Sequence, residues 1–254
     1  MLGRAPGRHA AIPAALVFAV ATSAVHAQQP ASAVLTGLSR DIACAPLAPR
    51  ARPVTSMRIV GGTEPRQTQF STGERVIVGS GTANGVRTGE EYVVRRIVGD
   101  RFTEPVAGAV PMSIHTAGTV QIIEAQTHYA VAVVTTGCDG ISEGDYLERF
   151  APPILPAGEI GTSPDFASPA TLVLGAERRQ IGAPGDFMIL NRGGDHGLQA
   201  GQLLTVFRKA AGPSGPVTTI GTAKVYVVLP ETATVRIEKS MDAVYVGDLV
   251  AVHR

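Results

Sequence analysis

The sequence predicts an all-β protein made of two tandem, homologous small antiparallel barrels or sandwiches with five to six strands each. Three observations lead to this fold class: the composition, an internal repeat, and short apolar segments separated by glycine turns. Val, Ile and Thr supply 66 of the 254 residues, and β-branched side chains suit strands better than helices. No helical periodicity of useful length appears after residue 27, so a helix-rich architecture is not expected.

The composition also excludes some classes of protein. Hydrophobic residues make up 44% of the chain and the formal net charge is +1. A chain with this balance can build a core, which argues against intrinsic disorder. A nucleic-acid-binding protein is expected to carry a basic excess, and none is present here. We therefore predict no nucleic-acid partner.

The repeat organises the chain. Residues 73–96 align without gaps on residues 185–208, and seven of the 24 positions are identical. A second block aligns residues 118–147 on residues 221–250 with six identities. Because the two blocks occur in the same order with their glycines in register, we interpret them as one module used twice. The identities of the first block are Gly73/Gly185, Ile77/Ile189, Gly81/Gly193, Gly85/Gly197, Gly89/Gly201, Val94/Val206 and Arg96/Arg208.

These alignments set the predicted domain boundaries. The two β repeats cover residues 57–150 and 170–254, and residues 151–169, which hold five prolines, are interpreted as a linker. Residues 28–56 are also proline-rich and form either a tether or a short arm held down by Cys44. Strands are expected near residues 57–61, 74–79, 90–98, 118–125, 129–135 and 145–150, and near 171–175, 186–191, 202–208, 221–229, 232–238 and 248–253.

Residues 1–27 have the pattern of a signal peptide. Arg4 and Arg8 precede an uncharged apolar run over residues 10–24, and small residues before Gln28 favour cleavage after Ala27. The alternative is an uncleaved anchor helix. No later segment is long and apolar enough to cross a bilayer as a helix. The sequence thus predicts export, to a periplasmic or outer-membrane-associated location.

The chain has two cysteines, Cys44 and Cys138. In an oxidising compartment an even number of cysteines suggests one disulfide, which would tie the N-terminal segment to the first repeat. Two unpaired thiols are the alternative.

Arg96 and Arg208 are the shared side chains most relevant to binding. An arginine at the end of a strand can bind a carboxylate or phosphate of a partner. The structural alternative, which we favour, is that each arginine packs its stem on the barrel rim and bonds loop carbonyls.

The sequence offers no recognisable catalytic, cofactor or metal site, so the protein is predicted not to be an enzyme. A hydrolase would need a nucleophile, a base and an orienting group, and no such set stands at a recognisable spacing. Asp195-His196 is an adjacent acid and base, but the other repeat has Ala83-Asn84 there. A glycan-binding module would use exposed aromatic rings for sugar stacking, and the chain has no Trp.

The repeated pattern resembles the small β-barrel modules of bacterial envelope proteins, in particular the C-terminal region of LysM-associated proteins and of the flagellar assembly protein T. The resemblance implies an exported, non-catalytic scaffold or interaction module with an envelope protein as partner. Peptidoglycan binding and an uncharacterised periplasmic hydrolase are the alternatives. The resemblance transfers no functional residue, and the helix-containing LysM domain itself is absent. The pattern comprises Gly73-Glu74 and Gly185-Asp186, the glycines at 81, 85 and 89 and their partners, Arg96 and Arg208, and Gly144-Asp145 and Gly247-Asp248.

Overall fold

The structure is a computed structural model and describes residues 1, 3, 37–99, 112–176, 179–212 and 214–254. The predicted signal peptide therefore lies almost entirely outside the described residues. The residues from Gly37 onward belong to one compact unit. Its described residues form one α-helix, α1 (Leu38–Cys44), and sixteen strands. The strands are β1 (Ile59–Gly62), β2 (Gln69–Phe70), β3 (Arg75–Val78), β4 (Glu91–Gly99), β5 (Met112–Ala125), β6 (Ala130–Gly137), β7 (Ile141–Ser142), β8 (Tyr146–Arg149), β9 (Pro164–Gly175), β10 (Ile181–Gly182), β11 (Phe187–Leu190), β12 (Leu203–Lys209), β13 (Val217–Val228), β14 (Ala233–Ser240), β15 (Val244–Tyr245) and β16 (Leu249–His253).

The strands form two antiparallel bodies, which we call module 1 (residues 57–150) and module 2 (residues 160–254). Module 1 is a six-stranded sheet in the order β1-β3-β6-β5-β4-β8, and module 2 is a closed barrel in the order β9-β11-β14-β13-β12-β16. The two orders are the same when β1 is matched with β9, β3 with β11, and so on. A two-residue ladder accompanies each body, β2 with β7 and β10 with β15. The predicted all-β fold with two small antiparallel modules is confirmed.

The two edges of the module 1 sheet also meet. Arg58 and Tyr146 form an antiparallel bridge. The Ile59 amide donates to the Asp145 carbonyl at 2.8 Å, and the Gly144 amide donates to the Ile59 carbonyl at 2.8 Å. Module 2 has the matching pair of bonds, in which the Leu172 amide donates to the Asp248 carbonyl at 3.0 Å and the Gly247 amide donates to the Leu172 carbonyl at 2.7 Å. These bonds link the two edges of the module 1 sheet, as the β9–β16 pairing links the corresponding strands of module 2.

Each module has its own core, built from the inward-facing side chains of alternate strand positions. In module 1 the buried cluster includes Val76, Val94 and Ile122, and in module 2 it includes Met188, Val206 and Val225. These side chains fill the space between the strands, as in other small barrels.

Glycines at equivalent positions of the two repeats are required for the same structural reason in both modules. Gly85 and Gly197 both have positive φ, 81° and 80°, at the end of a short 3-10 turn. At Gly81 and Gly193 the reason is close approach, because an added Cβ would overlap the backbone carbonyl of Gln126 or Leu229. The register of the sequence repeat thus coincides with equivalent turns in the two modules.

Gly193→Ala is expected to lower the free energy of unfolding by about 1–3 kcal/mol. The added methyl group would overlap backbone atoms, which move aside less easily than a flexible side chain does. The φ of Gly193, −141°, is accessible to any residue, so the cost comes from crowding. Gly194→Ala is the matched control, since its nearest neighbour is a Val228 methyl group at 3.5 Å. Urea unfolding should show a change within about 0.5 kcal/mol for the control. Equal effects of the two substitutions would contradict the close-approach explanation.

Two elements differ from the sequence-based expectation. Helix α1 covers seven residues, which is too short to leave a periodic pattern in the sequence. Strand β9 begins at Pro164, inside the stretch interpreted as a linker. Its prolines are tolerated because Pro164 is the first residue of the strand and Pro169 falls in the register shift between the Asp165 and Ala170 pairs. The connection without regular strand structure therefore covers residues 151–163 instead of the predicted 151–169.

Candidate functional site

The N-terminal segment 37–50, which we call the arm, is attached to module 1 by backbone and covalent bonds. Leu47 and Ile114 exchange two backbone hydrogen bonds of 2.9 and 2.7 Å. Cys44 at the end of helix α1 forms a disulfide with Cys138, with a Cα–Cα distance of 5.6 Å. Of the two interpretations of residues 28–56, the structure therefore places residues 37–50 as an arm; residues 28–36 lie outside the described part.

The same arm is bound to module 2 through side chains. Thr232 and Thr234, both buried, donate their hydroxyl protons to the carbonyls of Ala48 and Pro46, each at 2.7 Å. Ile42 lies in a small apolar cluster with Phe187. Because the arm is bound on both sides, it connects the two modules independently of the residue 151–163 connection.

Strand β11 explains why module 2 accepts the arm. All four of its residues are buried, although only Met188 and Leu190 belong to the barrel core. Phe187 and Ile189 face the other way and pack in clusters that contain arm residues. The equivalent strand of module 1 begins with the exposed Arg75. An uninterrupted apolar run such as that of β11 indicates a strand covered on both faces.

A groove of about 370 Å³ opens where the arm, module 1 and the connection meet. Its lining comes from the arm, from β4 and β8 of module 1, from the start of the connection, and from Val227 near the end of β13. Most of the surface is apolar, and the charged groups lie on the wall from module 1. The lining comprises Ile42, Ala43, Ala45, Leu47, Val93, Arg95, Glu148, Arg149, Phe150, Ala151, Pro153 and Val227.

Arg96 is held inside module 1 by a bidentate ion pair. Its Nε and Nη2 donate to the two carboxylate oxygens of Asp145, each at 2.8 Å. Nη2 also donates to the Gly140 carbonyl at 3.0 Å and to the Ser142 hydroxyl at 3.1 Å. The hydrogen bond to Asp145 raises the pKa of the Arg96 guanidinium above its ordinary value. Asp145, only 4% exposed, in turn accepts a bond from the Ser142 amide.

Arg208 repeats this arrangement in module 2. Its Nε and Nη2 donate to Asp248 at 2.6 and 2.7 Å, and Nη2 also donates to the Ala243 carbonyl. The hydrogen bond to Asp248 raises the pKa of Arg208. Its guanidinium lies 5.0 Å from the centroid of the Tyr245 ring. Since most donors of both arginines are used within the chain, few remain for an external anion.

The phenol pKa values of Tyr92 and Tyr146 are raised by their surroundings. Burial, followed by the contacts with Glu90, raises the pKa of Tyr92 to about 12, and burial, followed by Glu148, raises that of Tyr146 to about 12. Both shifts exceed the ordinary value near 10. A raised phenol pKa means that the neutral form is favoured by folding, so this stabilisation is complete below pH 10 and is lost as the pH rises toward 12.

An absorbance titration of the five tyrosines, with circular dichroism to follow unfolding, is expected to show an ionisation step near pH 12. Tyr92→Phe and Tyr146→Phe should each remove part of that step. A pH of 11 is about one unit above the ordinary phenol pKa. If all five tyrosines ionise below that pH in the folded protein, the burial of Tyr92 and Tyr146 is contradicted.

Within the described ranges, no group of three or more His, Cys, Asp and Glu side chains is placed to hold a metal ion. Among these same residues no helix is long and apolar enough to cross a membrane. A comparison of the chain with protein-family models and with curated proteins finds no match.

The structure thus brings Cys44 and Cys138 together and leaves Arg96 and Arg208 in separate modules. The sequence predicted the Cys44–Cys138 bond as one of two alternatives, but not the contacts of the arm with module 2 or the groove. It also did not predict that Asp145 and Asp248 are the partners of Arg96 and Arg208. One signal was present, because Gly144-Asp145 and Gly247-Asp248 were aligned together with the arginines. Asp145 and Asp248 also accept local backbone N–H bonds, from Ser142 and Tyr245 respectively.

Proposed function

We propose that this chain is an exported, non-catalytic scaffold of the bacterial cell envelope that binds an envelope protein. The observation that carries the proposal is that each module interior is filled by packed side chains. The shared polar groups are engaged within the chain, in the Arg96–Asp145 and Arg208–Asp248 pairs. Rigid modules of this kind suit recognition through their outer surfaces.

Two features of the sequence support the location. The residue 1–27 pattern is that of a signal peptide, and after its removal the chain has 20 basic and 21 acidic residues. A disulfide between Cys44 and Cys138 suits an oxidising compartment. The resemblance to modules of LysM-associated proteins and of the flagellar assembly protein T agrees with this location.

The glycan alternative depends on exposed aromatic rings. Tyr129 and Tyr245 are 46% and 42% exposed. One face of Tyr245 is already beside the Arg208 guanidinium, which reduces the ring surface that a sugar could stack on. This leaves Tyr129 as the main candidate for stacking, and a single ring gives little affinity.

The test combines fractionation and binding with the tagged full-length chain in its own host. We expect the protein in the periplasmic or outer-membrane fraction, and reproducible recovery of one protein partner from solubilised envelope after cross-linking. Binding to purified peptidoglycan that Tyr129→Ala abolishes, without a protein partner, would replace the proposal by the glycan alternative. Retention in the cytoplasm would overturn the proposed location.

A further inference from the structure

A second cavity, of about 260 Å³, belongs entirely to module 2 and is mainly polar in character. We call it the cationic pocket. It is lined by β9, β16, the segment between β11 and β12, and the last residue of the chain. Pockets for drug-sized ligands measure about 300–1,000 Å³, so this one suits a smaller chemical group. Its charged and polar lining residues are Asp165, Ser168, Arg192, His196, Gln202 and Arg254.

Arg192 differs from the other arginines described above in having no acidic partner. Its Nη1 donates to the Ser168 carbonyl at 3.0 Å, and its Nη2 donates to the Ser168 hydroxyl at 3.2 Å. Both acceptors are neutral, and no carboxylate of the described residues lies within ion-pair distance of this guanidinium. By contrast, Arg96 and Arg208 are bound by aspartates of their own modules. An external carboxylate would therefore give Arg192 the ion pair that the fold does not supply.

The remaining charges of the lining determine the charge of the ligand. Arg254 Nη2 lies 2.8 Å from an oxygen of Asp165, so these two charges largely cancel. Two arginines against one aspartate leave a formal charge of +1 when His196 is neutral. A monoanion matches this charge, whereas a phosphate dianion would bring a second negative charge close to Asp165. The lining therefore favours a carboxylate over a phosphate.

Two further hydrogen-bond donors and an apolar surface complete the pocket. Nδ1 of His196 accepts a bond from the Gly193 amide at 3.3 Å, so the neutral ring carries its proton on Nε2 and can donate it. The Ser168 hydroxyl oxygen accepts from Arg192, and its own proton can be donated to a ligand. Leu198 and Val252 line the pocket and pack against the barrel core. A carboxylate on a short aliphatic group would satisfy both kinds of surface.

In module 1 an internal ion pair occupies the equivalent place. Gln202 and Val252 correspond to Glu90 and Arg149 in the alignment of the repeats, and these two residues of module 1 form an ion pair of 3.0 Å. Module 2 has an amide and an apolar side chain there, so no such pair closes the site.

The cations of the pocket are also specific to module 2. The alignment places the uncharged Ser80 and Asn84 at the positions of Arg192 and His196. Because module 1 adopts the same strand order without these two side chains, the shared fold does not require them. A role that only module 2 performs accounts for their presence.

We propose that the cationic pocket binds a carboxylate carried on a short aliphatic group, with Arg192 as the ion-pair partner of that carboxylate. A protein or peptide offers this chemistry at a free C-terminus and on the side chain of Asp or Glu. The inference goes beyond the proposed function and does not depend on it, because it concerns a site for a small group whatever molecule carries that group.

Titration of the purified protein with small carboxylates, followed by two-dimensional NMR at constant low ionic strength, tests the proposal. N-acetyl-alanyl-alanine represents a C-terminus, and the α-amide of N-acetyl-glutamic acid represents an acidic side chain. We expect at least one of them to bind with a dissociation constant of about 1 mM. The matching uncharged amides should bind at least about tenfold more weakly, since they lack the charge-assisted bonds. The carboxylate that binds more tightly identifies the source.

Arg192→Gln is expected to weaken this binding by at least about tenfold. Arg58→Gln is the matched control, because Arg58 also donates to a backbone carbonyl, that of Gly144, but lies in module 1. Asp165→Asn should act in the opposite direction and tighten binding about two- to fivefold. It removes the negative charge and keeps Oδ1, which accepts a bond from the Ala167 amide. Circular dichroism establishes that each variant is folded.

Three results would overturn the proposal. They are the absence of binding of both carboxylates up to about 20 mM, equal affinity for the acids and their amides, and wild-type affinity of the Arg192→Gln variant. Tighter binding of inorganic phosphate than of both carboxylates would overturn the choice of a carboxylate as the ligand.

Discussion

Replacing Cys44 and Cys138 together by alanine is expected to lower the free energy of unfolding by about 2–4 kcal/mol. The disulfide joins residues 94 positions apart, and a cross-link that closes a long loop removes much conformational freedom from the unfolded chain. Without it, the arm is held to module 1 by its backbone bonds to Ile114 and by the bond from Arg40 to the Gly137 carbonyl, and to module 2 by its side-chain contacts. Urea unfolding of the variant and of the wild type, both monitored by circular dichroism, measures the difference.

The reduced wild-type protein is the matched control for this experiment, and its stability should equal that of the variant. Alkylation of the denatured, unreduced wild type should attach no label, because both sulfur atoms are bonded. Uptake of two labels would contradict the disulfide directly.

Arg208→Met is expected to destabilise the protein by about 2–4 kcal/mol. The substitution keeps much of the apolar stem but leaves the Asp248 carboxylate, 6% exposed, without its bidentate partner. Removing one partner of a buried ion pair costs about 3–5 kcal/mol. We lower this value because the Arg208 side chain is 33% exposed and water screens the pair. Arg96→Met should have a similar effect in module 1.

Arg254→Gln provides a comparison for the arginine substitutions. Its ion pair with Asp165 is short, 2.8 Å, but the Arg254 side chain is 76% exposed. Exposed pairs contribute at most about 1 kcal/mol. Equal effects of Arg254→Gln and Arg208→Met in urea unfolding would show that burial of Asp248 does not matter, contrary to the structure.

Much of the fold could be predicted from the sequence because its determinants are local. Glycines at Gly85 and Gly197 mark turns that need positive φ, and alternating apolar residues mark strands with one face in a core. A duplicated pattern strengthens each assignment, since a turn in one copy supports the same turn in the other. The predicted strand near residues 74–79, for example, is observed as Arg75–Val78.

The arm could not be predicted in the same way. Its contacts join residues about 180 positions apart, such as Ala48 with Thr232, and no local pattern encodes such a pairing. Helix α1 has only one fully buried side chain, Ile42, so it shows no amphipathic stripe. The groove depends on these long-range contacts and was missed for that reason. The uninterrupted apolar run of β11 is typical of a strand covered on both faces, but such a run does not specify which segment covers it.

The arm, bound to both modules, is expected to join them into one cooperative unfolding unit. Hydrogen exchange with mass spectrometry at increasing urea concentration tests it most directly, using peptides from β6 of module 1 and from β14 of module 2. For the oxidised protein we predict a common unfolding midpoint for the two strands, and separate midpoints once Cys44 and Cys138 are replaced by alanine. Separate midpoints in the oxidised wild type would show that the arm does not couple the two modules.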